Sequence, residues 1–379
     1  MSHGVGARRL VAFLFLITLG GGCAHVEPPS GGPEDSIAPQ LLVTRPDSLS
    51  IQAALTTPVV LVFDERISER GVEAAVMVSP RTSMVRVDHR RDELRVSLRG
   101  GWQPGIVYHI TVLPEVQDLF GNRRTERVNF VFSTGPPITD TRVTGTVTDR
   151  ITGRNEANIR VEAIRLADSL VYAVPTDSAG GFAMSRIPVG EYQIRAFQDM
   201  NRDRALDYFE PRDSAFVSVT EAATPSLTLA VLLPDTTLPQ IASAGVVNRN
   251  VEVRFDDFLD PLQEFAPGQI TITAADGEVI GIAEVGVGAL DSEIADEAAQ
   301  PAGAQRSPAA ATLPSQTLTI RLADDVVLRP GVGYRVIVLA IRNVNGLVAD
   351  GDGSFTGPPE AEPTPIPDPA GEVSTGGNG

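Results

Sequence analysis

Twelve residues, Asp199-Met-Asn201-Arg-Asp203-Arg-Ala205-Leu-Asp207-Tyr-Phe-Glu210, set oxygen-bearing side chains at positions 1, 3, 5, 9 and 12 of one run. The Ala205 carbonyl is available at position 7. Calcium takes several hard oxygens from a flexible loop, and this spacing can supply them, with Glu210 as a bidentate ligand. Arg204 stands at position 6, where glycine normally makes the sharp turn. An arginine there needs a left-handed backbone and adds positive charge beside the ion. Both flanks read as strands, so a calcium ion here would be structural rather than part of a helix pair. The same residues also make a solvated Asp/Asn turn between strands, and that reading stays open.

The second chemically distinctive residue is Cys23, the single cysteine. Two arginines (Arg8, Arg9) precede an apolar run from Leu10 to Leu19, and Gly20 to Gly22 follow it. That is the order of an export signal, and the run is too short to span a bilayer. An unpaired thiol on an exported chain can pair with another molecule, and acylation removes that hazard. The alternative on these residues is an ordinary cleaved signal with an incidental cysteine. Leu19-Gly-Gly-Gly-Cys23 resembles a bacterial lipobox, although the leucine lies one step earlier than usual. The resemblance implies lipidation at Cys23, so that membrane lipid is a partner. Ala24 is not the aspartate that retains some lipoproteins at the inner membrane, and resemblance points to the outer membrane.

Several chemistries are excluded by what is missing. The chain has no lysine, and its 31 basic residues are all arginine. Schiff-base catalysis, phosphate-loop lysines and Lys-Asn isopeptide crosslinks are therefore absent. His89 and His109 each stand alone in strand-like sequence, without an aligned nucleophile or acid. One cysteine rules out a cysteine-based zinc site within one chain. The net charge of −17 argues against nucleic acid as a partner. Acidic pairs at Asp64-Glu65 and Asp256-Asp257 lack a partner base, and they read as strand ends leaving into solvent. We expect no enzyme.

The elements that carry these residues are strands. Val59–Phe63 is a short buried-strand run, and Leu94–Leu98, Tyr108–Leu113 and Tyr192–Phe197 alternate with period two. With 35 glycines, 29 prolines and 5% aromatics, the composition suits many short strands and turns. The fold class is all-β, as tandem sandwiches. We divide the chain into a signal (1–22), a tether (23–37), a first module (38–136), a middle module (140–234) and a third module (238–356). A Pro/Gly-rich tail (357–379) is expected to be disordered. Residues 286–315, rich in Ala, Asp, Glu and Pro, read as a disordered insertion.

The third module repeats the first. Val60-Leu-Val-Phe63-Asp-Glu65 recurs as Glu252-Val-Arg-Phe255-Asp-Asp257, and Pro104-Gly-Ile-Val-Tyr108 recurs as Pro330-Gly-Val-Gly-Tyr334. With Asp35, Ala38-Pro39 and Asp118-Leu-Phe-Gly-Asn122, this pattern resembles the SbsA-type bacterial Ig-like domain. Asn343-Val-Asn-Gly346 departs from it in the second copy. The middle module is similar to carboxypeptidase-regulatory-like or Cna-B-type β-sandwiches, through Thr176-Asp-Ser-Ala-Gly-Gly-Phe182 and Pro188-Val-Gly-Glu-Tyr192. These resemblances imply an extracytoplasmic lipoprotein, acting as a spacer or as a platform for an unknown envelope protein. Adhesion or polysaccharide binding is the alternative, for which Trp102 with Tyr108 is the one aromatic candidate, although Tyr108 reads better as a core residue.

Overall fold

The computed structural model is described for residues 34–290 and 313–359. The signal segment, Cys23, the tether up to residue 33, most of the insertion and the tail from 360 lie outside the described residues.

The first module packs two sheets. One has the order β1-β2-β5-β4, with β1 (Leu41–Arg45), β2 (Val59–Phe63), β4 (Val85–Arg90) and β5 (Glu93–Leu98). The other is β3-β6-β7, with β3 (Val76–Ser79), β6 (Val107–Val112) and β7 (Val128–Ser133). A single helical turn, α1 (Val72–Ala75), leads into β3. Alternation decides what is buried. Val59, Leu61 and Phe63 of β2 point inward, as do Leu94, Val96 and Leu98 of β5. Tyr108, Phe130 and Phe132 of the second sheet close the core against them.

The third module repeats this plan. Its sheets are β15-β16-β20-β19 and β18-β17-β21-β22. Their strands are β15 (Ile241–Val247), β16 (Asn250–Leu259), β17 (Ile270–Ala274), β18 (Val279–Ile280), β19 (Ile282–Val287), β20 (Ser315–Leu322), β21 (Gly333–Arg342) and β22 (Val348–Thr356). The repeat extends to individual hydrogen bonds. Asp64 Oδ1 accepts the Gln40 N–H at 2.7 Å, and Asp256 Oδ1 accepts that of Gln240 at 2.7 Å. Tyr108 Oη accepts the Gln103 N–H at 2.9 Å, and Tyr334 Oη accepts that of Arg329 at 2.8 Å. A buried tyrosine after a Pro-Gly turn thus ties its hydroxyl back to the turn, which keeps a polar atom satisfied inside an apolar core.

The middle module has sheets β10-β9-β12-β13 and β11-β8-β14. Its strands are β8 (Arg142–Asp149), β9 (Arg160–Arg165), β10 (Val171–Pro175), β11 (Gly181–Ser185), β12 (Gly190–Phe197), β13 (Arg212–Val219) and β14 (Ser226–Val231). Strand β8 pairs antiparallel with β11 and parallel with β14. Gly145 on β8 is forced: a Cβ there would lie 2.3 Å from the Leu227 carbonyl and 2.5 Å from the Phe182 ring.

The first and middle modules meet along strand edges. Ser79 Oγ donates to the Val171 carbonyl at 3.1 Å and accepts the Ala173 N–H at 2.6 Å. Arg127 donates to the Pro175 carbonyl at 2.5 Å, and Arg204 to the Ala74 carbonyl at 3.2 Å. Partners at both ends of β3 make this a lateral contact. A cavity of about 270 Å³ follows the seam, lined by Ser79, His109, Tyr172, Met184 and Arg186 among others.

Two expectations change. The insertion is shorter than residues 286–315, because Gly286 and Val287 end β19 and Ser315 opens β20. These residues pair in a ladder, where Gly286 faces Thr319, and their composition hid that. The core reading of Tyr108 holds, so Trp102 with Tyr108 makes no surface platform. Tyr108 is fully buried, and Trp102 packs edge-on against it and Phe132 at 5.0 and 5.1 Å. The acidic pairs do not simply leave into solvent. Asp64 and Asp256 clasp a neighbouring backbone, and Glu65 turns toward two other carboxylates.

Candidate functional site

The Asp199–Glu210 run connects β12 to β13. Its acids fold the loop back on itself. Asp199 Oδ2 accepts the Arg204 N–H at 3.0 Å, Asn201 Oδ1 accepts that of Asp203 at 3.0 Å, and Asp203 Oδ1 accepts that of Ala205 at 2.7 Å. Asn201 Nδ2 donates to Asp203 and Asp207 carboxylates at 3.0 and 2.8 Å. Arg202 (φ 61°) and Arg204 (φ 67°) adopt the left-handed backbone that the sharp turn requires. The missing glycine therefore does not prevent the turn.

Glu210 is buried, and both its oxygens are engaged. Oε1 accepts the Met200 N–H at 2.8 Å and Oε2 that of Asp207 at 3.0 Å. It clasps the two ends of the loop, and a cation would have to use its remaining lone pairs. Asp199 Oδ1 is buried without a hydrogen-bond partner. The structure brings Asp199, Asn201, Asp203, Asp207 and Glu210 into one hydrogen-bonded loop, with the Ala205 amide in the same network.

Among the described residues, one set of three carboxylates brings its oxygens within 4.8 Å of one another: Asp35, Glu65 and Asp118. Each comes from a different segment, at the start of the module, after β2 and between β6 and β7. Asp118 is buried. Burial alone would raise its pKa, but hydrogen bonds from the Asn122 side chain and from the Asn122, Phe120 and Gly121 backbone outweigh this and hold it below the ordinary value. Glu65 goes the other way, raised by partial burial and then by the charges of Asp118, Asp35 and Asp64.

The third module supplies an internal control. Asn343 occupies the place of Asp118, and its Nδ2 donates to Asp257, the counterpart of Glu65, at 2.6 Å. An amide hydrogen thus joins two groups that in the first module are both carboxylates. Sequence reasoning noted Asp35, Glu65 and Asp118 within a repeat pattern, but missed that they converge. Their separation along the chain gave no local spacing to recognise.

No constellation for catalysis forms among the described residues. His89 bonds the Arg91 carbonyl at 3.0 Å. His109 faces the module seam, where its Nε2 has no partner. Burial, reinforced by the Arg186 charge, lowers its pKa to about 4, against a smaller opposing effect of a hydrogen bond to the Arg186 backbone. Ser79 lies opposite His109 in the strand register, but its hydroxyl donates to the Val171 carbonyl across the seam rather than to the imidazole. Exposed aromatics occur instead at Phe120, Tyr208, Phe209 and Phe216, positions that strand periodicity alone did not single out. No helix among the described residues is long and apolar enough to cross a membrane.

No curated protein matches the chain. Among solved structures, the chain is similar to the N-terminal part of the bacterial S-layer protein SbsC, at 16% identity over 32% of this chain and 24% of that one, with a TM-score of 0.21. It is also similar to BcpA, the major pilin subunit of Bacillus cereus, at 12% identity over 52% of this chain and 71% of that one, with a TM-score of 0.20. A DUF3823 family protein from Bacteroides uniformis matches at 12% identity, over 58% of this chain and all of that one, with a TM-score of 0.17. These likenesses say nothing about activity or partners. Residues 35–134, the first module with its leading Asp35, match the family model of the bacterial Ig-like domain Big_5, within a chain whose described residues are nearly all-β, the turn α1 aside.

Proposed function

We propose that this protein is a non-enzymatic cell-envelope lipoprotein. Lipid on Cys23 holds it at the membrane, in the outer membrane of a two-membrane cell. Its three sandwiches act as a spacer and interaction platform. The observation that supports this best is the division of the described chain into three separately closed β-sandwich cores. Two of them are fixed side by side, and none contains an arranged nucleophile, base or cofactor cradle. Export-type sequence before Asp35 places such an object outside the cytoplasm. Calcium in the Asp199–Glu210 loop would serve structure, tying the end of β12 to the start of β13.

The test is fractionation of cells producing the wild type and Cys23→Ser, followed by pull-down from intact envelopes. Wild type is expected in the detergent-soluble membrane fraction and Cys23→Ser in the soluble extracytoplasmic fraction. The same distribution for both would refute the anchor. A hydrolytic activity recovered with the purified protein would refute the non-enzymatic reading.

A further inference from the structure

The turn Asp118-Leu-Phe-Gly-Asn122, between β6 and β7, holds two large apolar side chains out in water. Leu119 is 62% exposed and Phe120 is 74% exposed. The turn beneath them is rigid. Buried Asp118 accepts the Phe120 and Asn122 N–H groups on Oδ1 at 2.8 Å each, and the Asn122 side-chain amide on Oδ2 at 2.8 Å. None of these bonds needs a leucine or a phenylalanine, and adjacent apolar side chains displayed on a rigid turn mark a contact surface.

The same turn is tied to the point where the chain enters the module. Asn122 Nδ2 also donates to the Asp35 carbonyl at 2.9 Å, and Arg124 donates to the Pro39 carbonyl at 2.7 Å. Ile37, between these two ties, is 66% exposed. Asp35 stands twelve residues after Cys23, and a fully extended chain of that length spans about 40 Å. With lipid on Cys23, the pole that bears Ile37, Leu119 and Phe120 is held within about 40 Å of the bilayer. No leash so short acts on the other two modules.

The third module shows that the scaffold does not demand this tip. Its corresponding turn is Asn343-Val-Asn-Gly346, with Val344 and Asn345 both half-buried. Asn343 is buried as Asp118 is, and its Oδ1 accepts the Leu347 N–H at 2.8 Å. Of the two copies, the one beside the tether presents Leu-Phe and the distant one Val-Asn. Charge at the tethered pole is of both signs. Glu34, Asp35 and Glu65 lie there with Arg123 and Arg124, whose guanidiniums bond the Gln117 side chain and the Pro39 carbonyl. Attraction to anionic lipid is therefore not what the pole is built for. An apolar tip among mixed charges fits a zwitterionic bilayer interface, where aromatic and aliphatic side chains settle among headgroups.

We propose that the Leu119–Phe120 tip, with Ile37 beside it, inserts into the headgroup region of the membrane that holds Cys23, so that the first module docks on the bilayer instead of swinging from its tether. This rests on the lipoprotein reading. Docking fixes the tilt of the first module and, through the Ser79 seam, that of the middle module.

The test uses the full lipidated protein, reconstituted in phosphatidylcholine vesicles with or without bromine near the top of the acyl chains. Trp102 lies at the other end of β6 from the tip and serves as the reference. Phe120→Trp should add an emission that shifts to the blue on reconstitution and is quenched by brominated lipid, equally at low and high salt. Asn345→Trp, at the matching place in the third module, should add an emission that is not quenched. Leu119→Asp in the Phe120→Trp background should lower the ratio of docked to undocked protein by about tenfold, the value of one buried leucine. Far-ultraviolet circular dichroism checks that each variant keeps its strands. No quenching of Phe120→Trp, equal quenching of both added tryptophans, or quenching confined to vesicles with anionic phosphatidylglycerol would each overturn the proposal. A blue shift without quenching would also overturn it, and would mark contact with a second copy. The lipid reading fails differently: wild type that does not float with the vesicles refutes the anchor, and this proposal with it.

Discussion

Lowering the pH should loosen the junction between the first and middle modules, and the size of the effect follows from His109. The ring lies on β6, faces the middle module, and packs edge-on to Tyr172 at 5.6 Å. Ser79, Thr111, Asn129, Tyr172 and Arg186 surround the same seam. Of these, Arg186 carries charge, and it opposes protonation. Burial is the largest cause, and it prevails over a hydrogen bond to the Arg186 backbone that favours the proton, so the pKa falls to about 4, against about 6.5 for a free imidazole. The folded state therefore binds this proton less tightly than the unfolded chain does. Stability is whole above pH 6.5 and is lost as pH falls toward 4. At about 1.4 kcal/mol for each tenfold change in proton affinity, the full loss is about 3 kcal/mol. About 2 kcal/mol of it is gone by pH 5. For a unit of two modules this is about 4 to 8 °C in melting temperature. The assay is thermal unfolding of wild type and His109→Gln at pH 7.5 and pH 5. The wild type should lose about 2 kcal/mol more than the variant over that interval. Equal losses would show that the seam admits water to the ring and that the reasoning is wrong.

Three further outcomes are expected. Ser79→Ala removes the two hydrogen bonds that Ser79 makes across the seam and leaves the Ala173 N–H buried without a partner. It should lower stability by about 1–3 kcal/mol in denaturant titration, and its effect should not add fully to that of His109→Gln. Tyr172 is buried with an unpartnered hydroxyl, so Tyr172→Phe should be neutral or stabilising by about 1 kcal/mol. A loss greater than that would reveal a hidden partner for the hydroxyl. Glu65 has a raised pKa, so its stability contribution is present at acid pH and lost as pH rises through the folded value. Glu65→Gln should therefore raise the melting temperature at neutral pH in the absence of calcium. If millimolar calcium stabilises the wild type, loss of that increment in Glu65→Gln assigns it to the carboxylate trio, and loss in Asp203→Asn assigns it to the loop.

Much of the fold was legible because it obeys period two. Val59–Phe63, Leu94–Leu98 and Tyr192–Phe197 lie in strands with the inward residues alternation names. The repeat was legible because its anchors are turn residues and a buried tyrosine, which tolerate little change. Strands β3 and β4 were harder. β3 is buried along its whole length, and β4 is half exposed with Arg86, Asp88 and Arg90 outward. β3 is too short and too evenly apolar to show a period, whereas β4 does alternate, Val85, Val87 and His89 against Arg86, Asp88 and Arg90, in a segment to which no strand was assigned. The Asp199–Glu210 loop was visible as a ligand spacing, yet its internal hydrogen bonding could not be read from spacing. The carboxylate trio and the exposed Leu119–Phe120 tip beside Asp35 were not visible, because both depend on which segments the sheets bring together.

The parallel pairing of β8 with β14 has a mechanical meaning. These are the first and last strands of the middle module, and Ser226 to Val231 lie beside Thr144 to Asp149 in continuous register. Tension along the chain would pull β8 from its leading end and β14 from its trailing end, in opposite directions. Every rung of that ladder is then loaded in shear at once, rather than being unzipped one at a time. A protein tethered at one end and gripped beyond its middle module would meet force with its strongest geometry.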